Sequence, residues 1–138
     1  MAMPPDVDLL ANVEHARRHR RSGRQHPGWF AEKVCEGGEW DFAKLGPEYE
    51  EFAAFHLGAV GRAAGFPAGV LARFAGKRRR ERGLLEEDWG DPGNGLWGGK
   101  APYGNDPEHY EMLQAGCGFY DIQAGLRKLG ARDPEDKR

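Results

Sequence analysis

Apolar residues recur with the period of an α-helix along most of this chain, while stretches that alternate apolar and polar residues are short. Leu9, Val13 and Ala16 lie at i, i+4 and i+7, which places them on one face of a helix. Asp6 precedes them and is a residue type that caps helix N-termini. The pattern therefore predicts a first helix over about residues 7–21.

Prolines mark the starts of the next helices, because the fixed φ of proline suits the first position of a helix. The helix that begins at Pro27 ends at the glycine pair 37–38, and the next covers about residues 47–65. A fourth helix begins at Pro67 and carries basic residues at its C-terminal end, where the helix dipole favours cations. The residues from Glu39 to Phe42 are a candidate for a short extended piece.

Residues 83–106 lack a helical period and are rich in Trp, Gly and Pro, which predicts one long loop. Loops of this length in a small domain are commonly functional. Trp89 and Trp97 either expose their rings to a ligand or pack inward as plugs over the helices. After the loop, Asp106 followed by Pro107 forms a cap and first-turn pair that begins a fifth helix.

These elements predict an all-α fold of about five helices with one long loop. The chain of 138 residues has the length of one domain, and its hydrophobic fraction of 39% and charged fraction of 30% suit a folded soluble protein. We expect the single domain to cover residues 1–130, and residues 131–138 to form a charged, disordered tail.

No apolar run approaches the roughly 20 residues that cross a bilayer, so stable membrane insertion is not expected. The start of the chain lacks the basic and apolar regions of a secretory signal. A protein with this sequence that acts outside its producer would therefore need a delivery domain or a secretion apparatus.

Charge is unevenly distributed, although the formal net charge is only −2. Two basic blocks flank an acidic middle segment. We interpret both blocks as solvated helix faces, and the alternative is that they bind phosphate groups. The acidic segment and the low net charge oppose a nuclease. The first block holds Arg17, Arg18, Arg20, Arg21 and Arg24, and the second holds Arg73, Lys77, Arg78, Arg79, Arg80 and Arg82.

The sequence predicts no metal and no cofactor. Cys35 and Cys117 are too few and too far apart to make a zinc site, and we expect two unpaired, half-buried thiols. They could pair if the protein matures in an oxidising compartment. His15 and His19 have the i, i+4 spacing of a helical metal pair, but no third ligand matches them.

The central helix carries a stripe of small residues, Ala54, Gly58, Gly61 and Gly65, at i, i+4, i+7 and i+11. Glycine costs about 1 kcal/mol in a helix interior, so the stripe needs a reason. Close packing against another helix is the reason we expect, and contact with a substrate is the alternative. His56 on the same helix has aromatic neighbours, which is more typical of a structural histidine than of a catalytic one.

Three stretches of the chain carry motifs whose order and spacing are distinctive. They are Trp29–Val34 with Gly37–Lys44 (GGEWDFAK), Tyr49–Gly61 (YEEFAAFHLGAVG) with Ala63–Phe66, and Trp97–Gly99 with Pro102–Gly116. Taken together, over about residues 7–120, they resemble the polymorphic toxin type 44 domain family. The resemblance implies a toxin used in competition between bacteria, joined to a delivery domain and encoded beside a cognate immunity protein.

The chain departs from the pattern expected of that family in the central helix. Ala53-Ala54 stands where the resemblance implies Gly-Asn, and Leu57 stands where it implies an aromatic residue. If that Asn takes part in the chemistry of the family, this chain is inactive or uses another group.

We predict first a hydrolase that cleaves the glycan strands of peptidoglycan. A glycosidase needs one carboxyl group as acid and a second as base or nucleophile, together with aromatic platforms for the sugars. A carboxyl group between Trp40 and Phe52 could have the raised pKa that an acid requires. The candidate carboxyl groups are those of Glu51, Asp41, Asp106 and Glu50, and the candidate binding residues are Trp40, Tyr49, Trp89, Trp97, Tyr103 and His109.

Two other functions remain open. One is a metal-independent ribonuclease with His56 or His109 as general base and an arginine that stabilises the phosphate group. The other is a binding module, or an inactive relative, without catalysis. A toxin that cleaves the wall would act in the periplasm of the target cell, whereas a ribonuclease would act in the cytoplasm.

Overall fold

The fold is all-α, as the sequence predicts. A computed structural model describes residues 1–20 and 24–131, and this part of the chain contains five α-helices. Two short 3-10 helices, Phe42–Leu45 and Pro47–Tyr49, precede the third α-helix. The α-helices are α1 (Leu9–Arg18), α2 (Pro27–Val34), α3 (Glu50–Ala63), α4 (Ala68–Glu81) and α5 (Pro107–Ala131).

Side-chain caps fix the first turns of α1 and α5. The Asp8 carboxylate accepts a hydrogen bond of 3.0 Å from the Ala11 backbone N–H, so the prediction of Asp6 as the cap of α1 is wrong. Asp6 instead lies in a turn with a φ of 65°, outside the extended region that a cap residue adopts. Asp106 caps α5 as predicted, because its Oδ1 accepts a hydrogen bond of 2.8 Å from the Glu108 N–H.

The segment between α2 and α3 turns where the sequence predicts an extended piece. The Trp40 backbone N–H donates a hydrogen bond of 2.8 Å to the Lys33 carbonyl oxygen near the end of α2. Phe42 then begins a 3-10 helix. The predicted extended piece from Glu39 to Phe42 is therefore wrong. Its backbone bonds back to α2, and this turn brings both Trp40 and Phe42 into the core.

Side chains from all five α-helices meet in one hydrophobic core. Val13 of α1, Phe30 of α2, Phe52 of α3, Leu71 of α4 and Leu113 of α5 are all buried in it. This core joins the first and last helices of the chain. Each of the five α-helices is therefore anchored by at least one side chain that water does not reach.

The last helix extends further than the sequence predicts. The predicted tail begins at residue 131, but α5 includes Ala131, and residues 132–138 lie outside the described part of the chain. Neither α5 nor any other helix within residues 1–20 and 24–131 combines the length and the apolar composition needed to span a membrane.

The small-residue stripe of α3 serves close helix packing, as expected. α3 lies at the centre of the fold and packs against α1, α4 and α5. A Cβ at Gly58 would lie 2.1 Å from the Leu113 carbonyl oxygen of α5, and a Cβ at Gly61 would lie 2.4 Å from Leu71 of α4. On α5, a Cβ at Gly116 would lie 1.9 Å from a carbonyl oxygen of α3. Gly58 and Gly61 are therefore covered by neighbouring helices, whereas Ala54 of the same stripe borders a cleft.

The prediction of a long loop between α4 and α5 is confirmed, and this loop is bonded to α4. Asp91 and Lys100 exchange two backbone hydrogen bonds of 2.8 and 2.9 Å that close its middle part. Arg73 of α4 donates 2.8 Å from Nε to the Gly98 carbonyl oxygen, and Arg80 lies 3.6 Å from the Asp91 carboxylate. Two basic residues of α4 therefore hold the path of the loop.

Candidate functional site

A cleft of about 560 Å³ opens between the first turns of α3 and α5 and the C-terminal half of α4. All three stretches that carry the family resemblance contribute side chains to it. Of the eleven catalytic and binding residues predicted from the sequence, seven line the cleft: Trp40, Asp41, Glu50, His56, Trp89, Asp106 and His109. The four that do not line it are Tyr49, Glu51, Trp97 and Tyr103.

Arg79 joins α4 to the start of α5 at the wall of this cleft. Its Nη1 donates a hydrogen bond of 2.5 Å to the Asn105 side-chain oxygen, and its Nη2 donates one of 3.2 Å to Nδ1 of His109. Asn105 is buried, and its Nδ2 donates 2.9 Å to each of the Ala72 and Pro102 carbonyl oxygens. The guanidinium group is therefore held in a fixed position.

The contact with Arg79 also determines the tautomer of His109, because an arginine only donates hydrogen bonds. Nδ1 accepts, so Nε2 carries the proton of the neutral ring. Nε2 lies 3.6 Å from a carboxylate oxygen of Glu50, whose side chain is 48% exposed in the first turn of α3. Arg79, His109 and Glu50 thus form a row of polar groups that ends at a half-exposed carboxylate.

Arg79 is a partly buried cation whose direct partners are neutral. Within residues 1–20 and 24–131 it forms no ion pair within 4.0 Å. Burial lowers the pKa of Arg79, while the carboxylates of Asp106 and Glu50, at longer range, raise it. Two of the five N–H groups of a guanidinium are used by Asn105 and His109, and the other three have no acceptor among the described residues.

Arg78 of α4 and Arg82, which directly follows α4, line the same cleft. The interpretation of the second basic block as a solvated face therefore holds only in part, for exposed members such as Arg80. Arg78 donates 2.7 Å from Nη1 to the Val34 carbonyl oxygen, and Arg82 follows one turn after it. Arg78, Arg79 and Arg82 share one side of α4 because of their spacing. Arg78 bonds to α2, Arg73 and Arg80 contact the loop, and Arg79 bonds to residues around the start of α5.

Charges of both signs line the cleft, but they come from different elements. The arginines come from α4 and from its C-cap residue Arg82, whereas the acidic side chains come from the other segments around the cleft. The wall formed by α4 is therefore basic, although the whole lining is mixed. The acidic residues are Glu36, Asp41, Glu50, Glu86 and Asp106, and the basic residues are Lys44, Arg78, Arg79 and Arg82.

His56 is only 1% exposed, yet its ring borders the cleft. The Asn12 side chain of α1 donates a hydrogen bond of 3.0 Å from Nδ2 to Nε2 of His56. Phe42 and Trp40 pack against the ring, with centroid distances of 4.7 and 5.3 Å. Burial lowers the pKa of His56 to about 3, so this neutral ring is a weaker general base than the sequence-based hypothesis requires.

Of the other predicted site residues, Glu51, Tyr49 and Tyr103 do not line the cleft, and Trp40 lines it with little exposed surface. Glu51 is exposed and points about 100° round α3 from Glu50. Tyr49 is half-buried, and the ring of Tyr103 packs 4.2 Å from an arginine of α4. Trp40 is 6% exposed, so little of its ring is left as a platform for a sugar.

Trp97 stands at the tip of the loop, with 68% of its surface exposed. The Asn94 side-chain oxygen accepts hydrogen bonds of 2.9 Å from the backbone N–H groups of Leu96 and Trp97, which shapes the tip. The alternative in which Trp97 packs inward is therefore wrong. Trp89 is half-buried and lines the cleft.

Replacing Trp97 with alanine is expected to change the free energy of unfolding by less than about 0.5 kcal/mol, because the ring makes few buried contacts. Replacing Trp40, which is 6% exposed, is expected to cost about 3 kcal/mol or more. Chemical denaturation of the two variants tests this difference. A loss in Trp97→Ala as large as that in Trp40→Ala would show that the Trp97 ring belongs to the core.

The sequence alone does not single out Arg79, Asn105 or Asn12 as members of this site. A signal for Arg79 exists, because Ala72, Ala75 and Arg79 lie at i, i+3 and i+7, and the apolar stripe of α4 therefore continues into this arginine. Asn12 has no comparable signal, since its partner His56 lies 44 positions further along the chain.

The remaining reactive side chains add no second site. Within the described residues, no three side chains of His, Cys, Asp or Glu are grouped as a metal site would require. Cys35 is free and half-buried, and Cys117 is free and more deeply buried than expected. Burial raises the pKa of the Cys117 thiol to about 11, which makes it a poor nucleophile at neutral pH.

Comparison with known proteins adds no assignment to this geometry. Neither a scan of protein-family models nor searches of curated proteins and solved structures found a match to the chain. The resemblance to the polymorphic toxin type 44 family stays a prediction, carried by three stretches that meet at one cleft.

Proposed function

We propose that this chain is the catalytic domain of an antibacterial toxin and that its cleft cleaves RNA without a metal ion. The toxin role is supported by the family resemblance, whose three stretches lie far apart in sequence and all line the cleft. The observation that carries the reaction is the position of Arg79, which is partly buried between neutral partners and directs His109 towards Glu50.

An anionic substrate accounts for this arrangement better than a neutral sugar does. Arg78, Arg79 and Arg82 place three cations on one wall, and guanidinium groups match the geometry of phosphate oxygens. A glycan strand has no phosphodiester group to pair with them. The first turns of α3 and α5 also border the cleft, and the positive ends of helix dipoles favour anions.

RNA carries its own nucleophile, the 2′-hydroxyl group. In the proposed reaction the Glu50 carboxylate takes the 2′-hydroxyl proton, and the 2′-oxygen attacks the phosphorus atom. The bond from phosphorus to the 5′-oxygen breaks, this oxygen takes a proton from solvent, and a 2′,3′-cyclic phosphate remains. The arginines and the Nε2–H group of His109 stabilise the negative charge on the phosphoryl oxygens.

Glu50→Gln is expected to reduce RNA cleavage about a hundredfold, because the amide cannot accept the 2′-hydroxyl proton. Glu51→Gln is the matched control, since Glu51 is exposed on the neighbouring position of α3 and does not line the cleft. Initial rates on a short RNA, measured for both variants, make the comparison. Equal rates for the two variants would remove Glu50 from the role of general base.

A second candidate function, hydrolysis of peptidoglycan glycan strands, is favoured by one specific observation. Asp41, Glu50 and Asp106 line the same cleft, and Trp89 lines it as well. Two carboxyl groups on opposite sides of a sugar are the machinery of a glycosidase. Digestion of purified peptidoglycan tests this candidate directly.

The proposal includes the partners that the family resemblance implies. A delivery domain or a secretion apparatus brings the toxin into the target cell, where RNA lies in the cytoplasm, and a cognate immunity protein protects the producer. Growth arrest on cytoplasmic expression, with intact cell shape and degraded RNA, is the expected result. Lysis that requires export to the periplasm would favour the glycan hydrolase instead.

A further inference from the structure

The ring of His56 borders the cleft, but the proposed reaction does not use it. Within the described part of the chain, its one hydrogen bond is the 3.0 Å contact between Nε2 and the Asn12 side-chain nitrogen. An amide NH2 group can only donate, so Nε2 accepts the hydrogen bond and Nδ1 carries the ring proton. The Nδ1–H group is left without an acceptor among the described residues.

Nδ1 is not fully buried, because within residues 1–20 and 24–131 the one fully buried side-chain nitrogen or oxygen atom without a hydrogen-bond partner is Nε of Arg20. Nδ1 therefore keeps a small accessible surface, and His56 lines the cleft. Aromatic rings surround His56: the centroids of Trp40, Phe42 and Phe52 lie 5.3, 4.7 and 5.6 Å away. These rings offer no acceptor in their planes, so the cleft is the side from which an acceptor can reach Nδ1. Arg79 and His109 line the same cleft.

We propose that His56 is a neutral hydrogen-bond donor to an anionic oxygen atom of the substrate, and that Asn12 is the positioning residue that sets its tautomer. This inference rests on the proposed function, because the oxygen atom is taken to belong to a phosphate group. Burial lowers the pKa of His56 to about 3, so the same N–H group is presented throughout the physiological pH range. His56 then adds an uncharged hydrogen-bond donor to the charged donors that the arginines supply.

Nitrogen-15 NMR of the full chain, labelled at histidine, tests the tautomer and the contact. At neutral pH we expect His56 to be protonated at Nδ1, and Asn12→Ala to remove this preference. Inorganic phosphate is expected to shift the His56 Nδ1 signal together with the His109 signals. A His56 ring protonated at Nε2 in the wild-type protein would overturn the inference.

The titration also separates this inference from the proposed function. Movement of the His109 signals without the His56 signal would mean that phosphate enters the cleft and does not reach His56, which overturns the inference alone. If neither signal moves at phosphate concentrations up to the solubility limit, both the inference and the phosphodiester reaction fail.

Substitution of His56 gives an independent readout. The amide nitrogen of asparagine takes the place of Nδ1, so His56→Asn is expected to keep RNA cleavage within about tenfold of wild type. His56→Phe keeps the ring shape but has no donor, and is expected to lose about a hundredfold. Circular dichroism establishes that both variants are folded. Equal losses in both variants would overturn the inference, and the NMR titration decides it if either fails to fold.

Discussion

Arg79→Met is expected to reduce RNA cleavage about a thousandfold, which corresponds to about 4 kcal/mol of transition-state stabilisation. The substitution removes the cation that contacts the phosphate group and also the donor that sets the tautomer of His109. We expect the fold to survive, because Asn105 keeps its bonds to the Ala72 and Pro102 carbonyl oxygens. Rates on a short RNA and a denaturation curve measure the two effects separately.

Arg80→Met is the matched control for this prediction. It removes the same charge one position along α4, but Arg80 contacts the Asp91 carboxylate of the loop, at 3.6 Å, and does not line the cleft. We expect its cleavage rate to stay within about twofold of wild type. Equal losses in Arg79→Met and Arg80→Met would mean that overall charge, and not the position of Arg79, governs the rate.

Gly116→Ala is expected to destabilise the protein by about 3 kcal/mol or more. A Cβ at this position would lie 1.9 Å from the Phe55 carbonyl oxygen and 3.0 Å from the Ala59 backbone nitrogen. Both atoms belong to the backbone of α3, so the clash can be relieved only if α3 and α5 move apart. The free energy of unfolding in urea measures the loss.

Gly118→Ala, two residues further along α5, makes the same chemical change without the clash. A Cβ at Gly118 meets no atom within 4 Å. Because alanine favours a helix over glycine, we expect this variant to be about 0.5–1 kcal/mol more stable than wild type. A similar stability for the two variants would show that α3 and α5 are not packed backbone to backbone.

Patterns among residues that are close in sequence were sufficient to predict most of the fold. The periods of apolar residues and the prolines predict the five helices, and the pair Asp106-Pro107 predicts the start of α5. The turn at Trp40 was not predictable, because it depends on a hydrogen bond back to Lys33 and on the burial of the indole ring. A backbone hydrogen bond in an irregular turn leaves no period in the sequence.

The candidate site was predictable only in part, for a related reason. Asp41, Glu50 and Asp106 stand out as carboxyl groups in motifs, and they do line one cleft. The basic run of α4 is interpreted as a solvated face from the sequence alone, because a sequence shows which residues are charged but not which residues they contact. Arg79 gains its role from Asn105, which lies 26 positions later and whose burial the sequence does not reveal.

The most direct test is to incubate the purified chain with total RNA in the presence of a chelator, and separately with purified peptidoglycan. The proposed function predicts RNA fragments that end in 2′,3′-cyclic phosphate, intact glycan strands, and loss of the RNA cleavage in Arg79→Met. Release of soluble muropeptides from peptidoglycan while RNA stays intact would contradict it and assign the cleft to the glycan hydrolase.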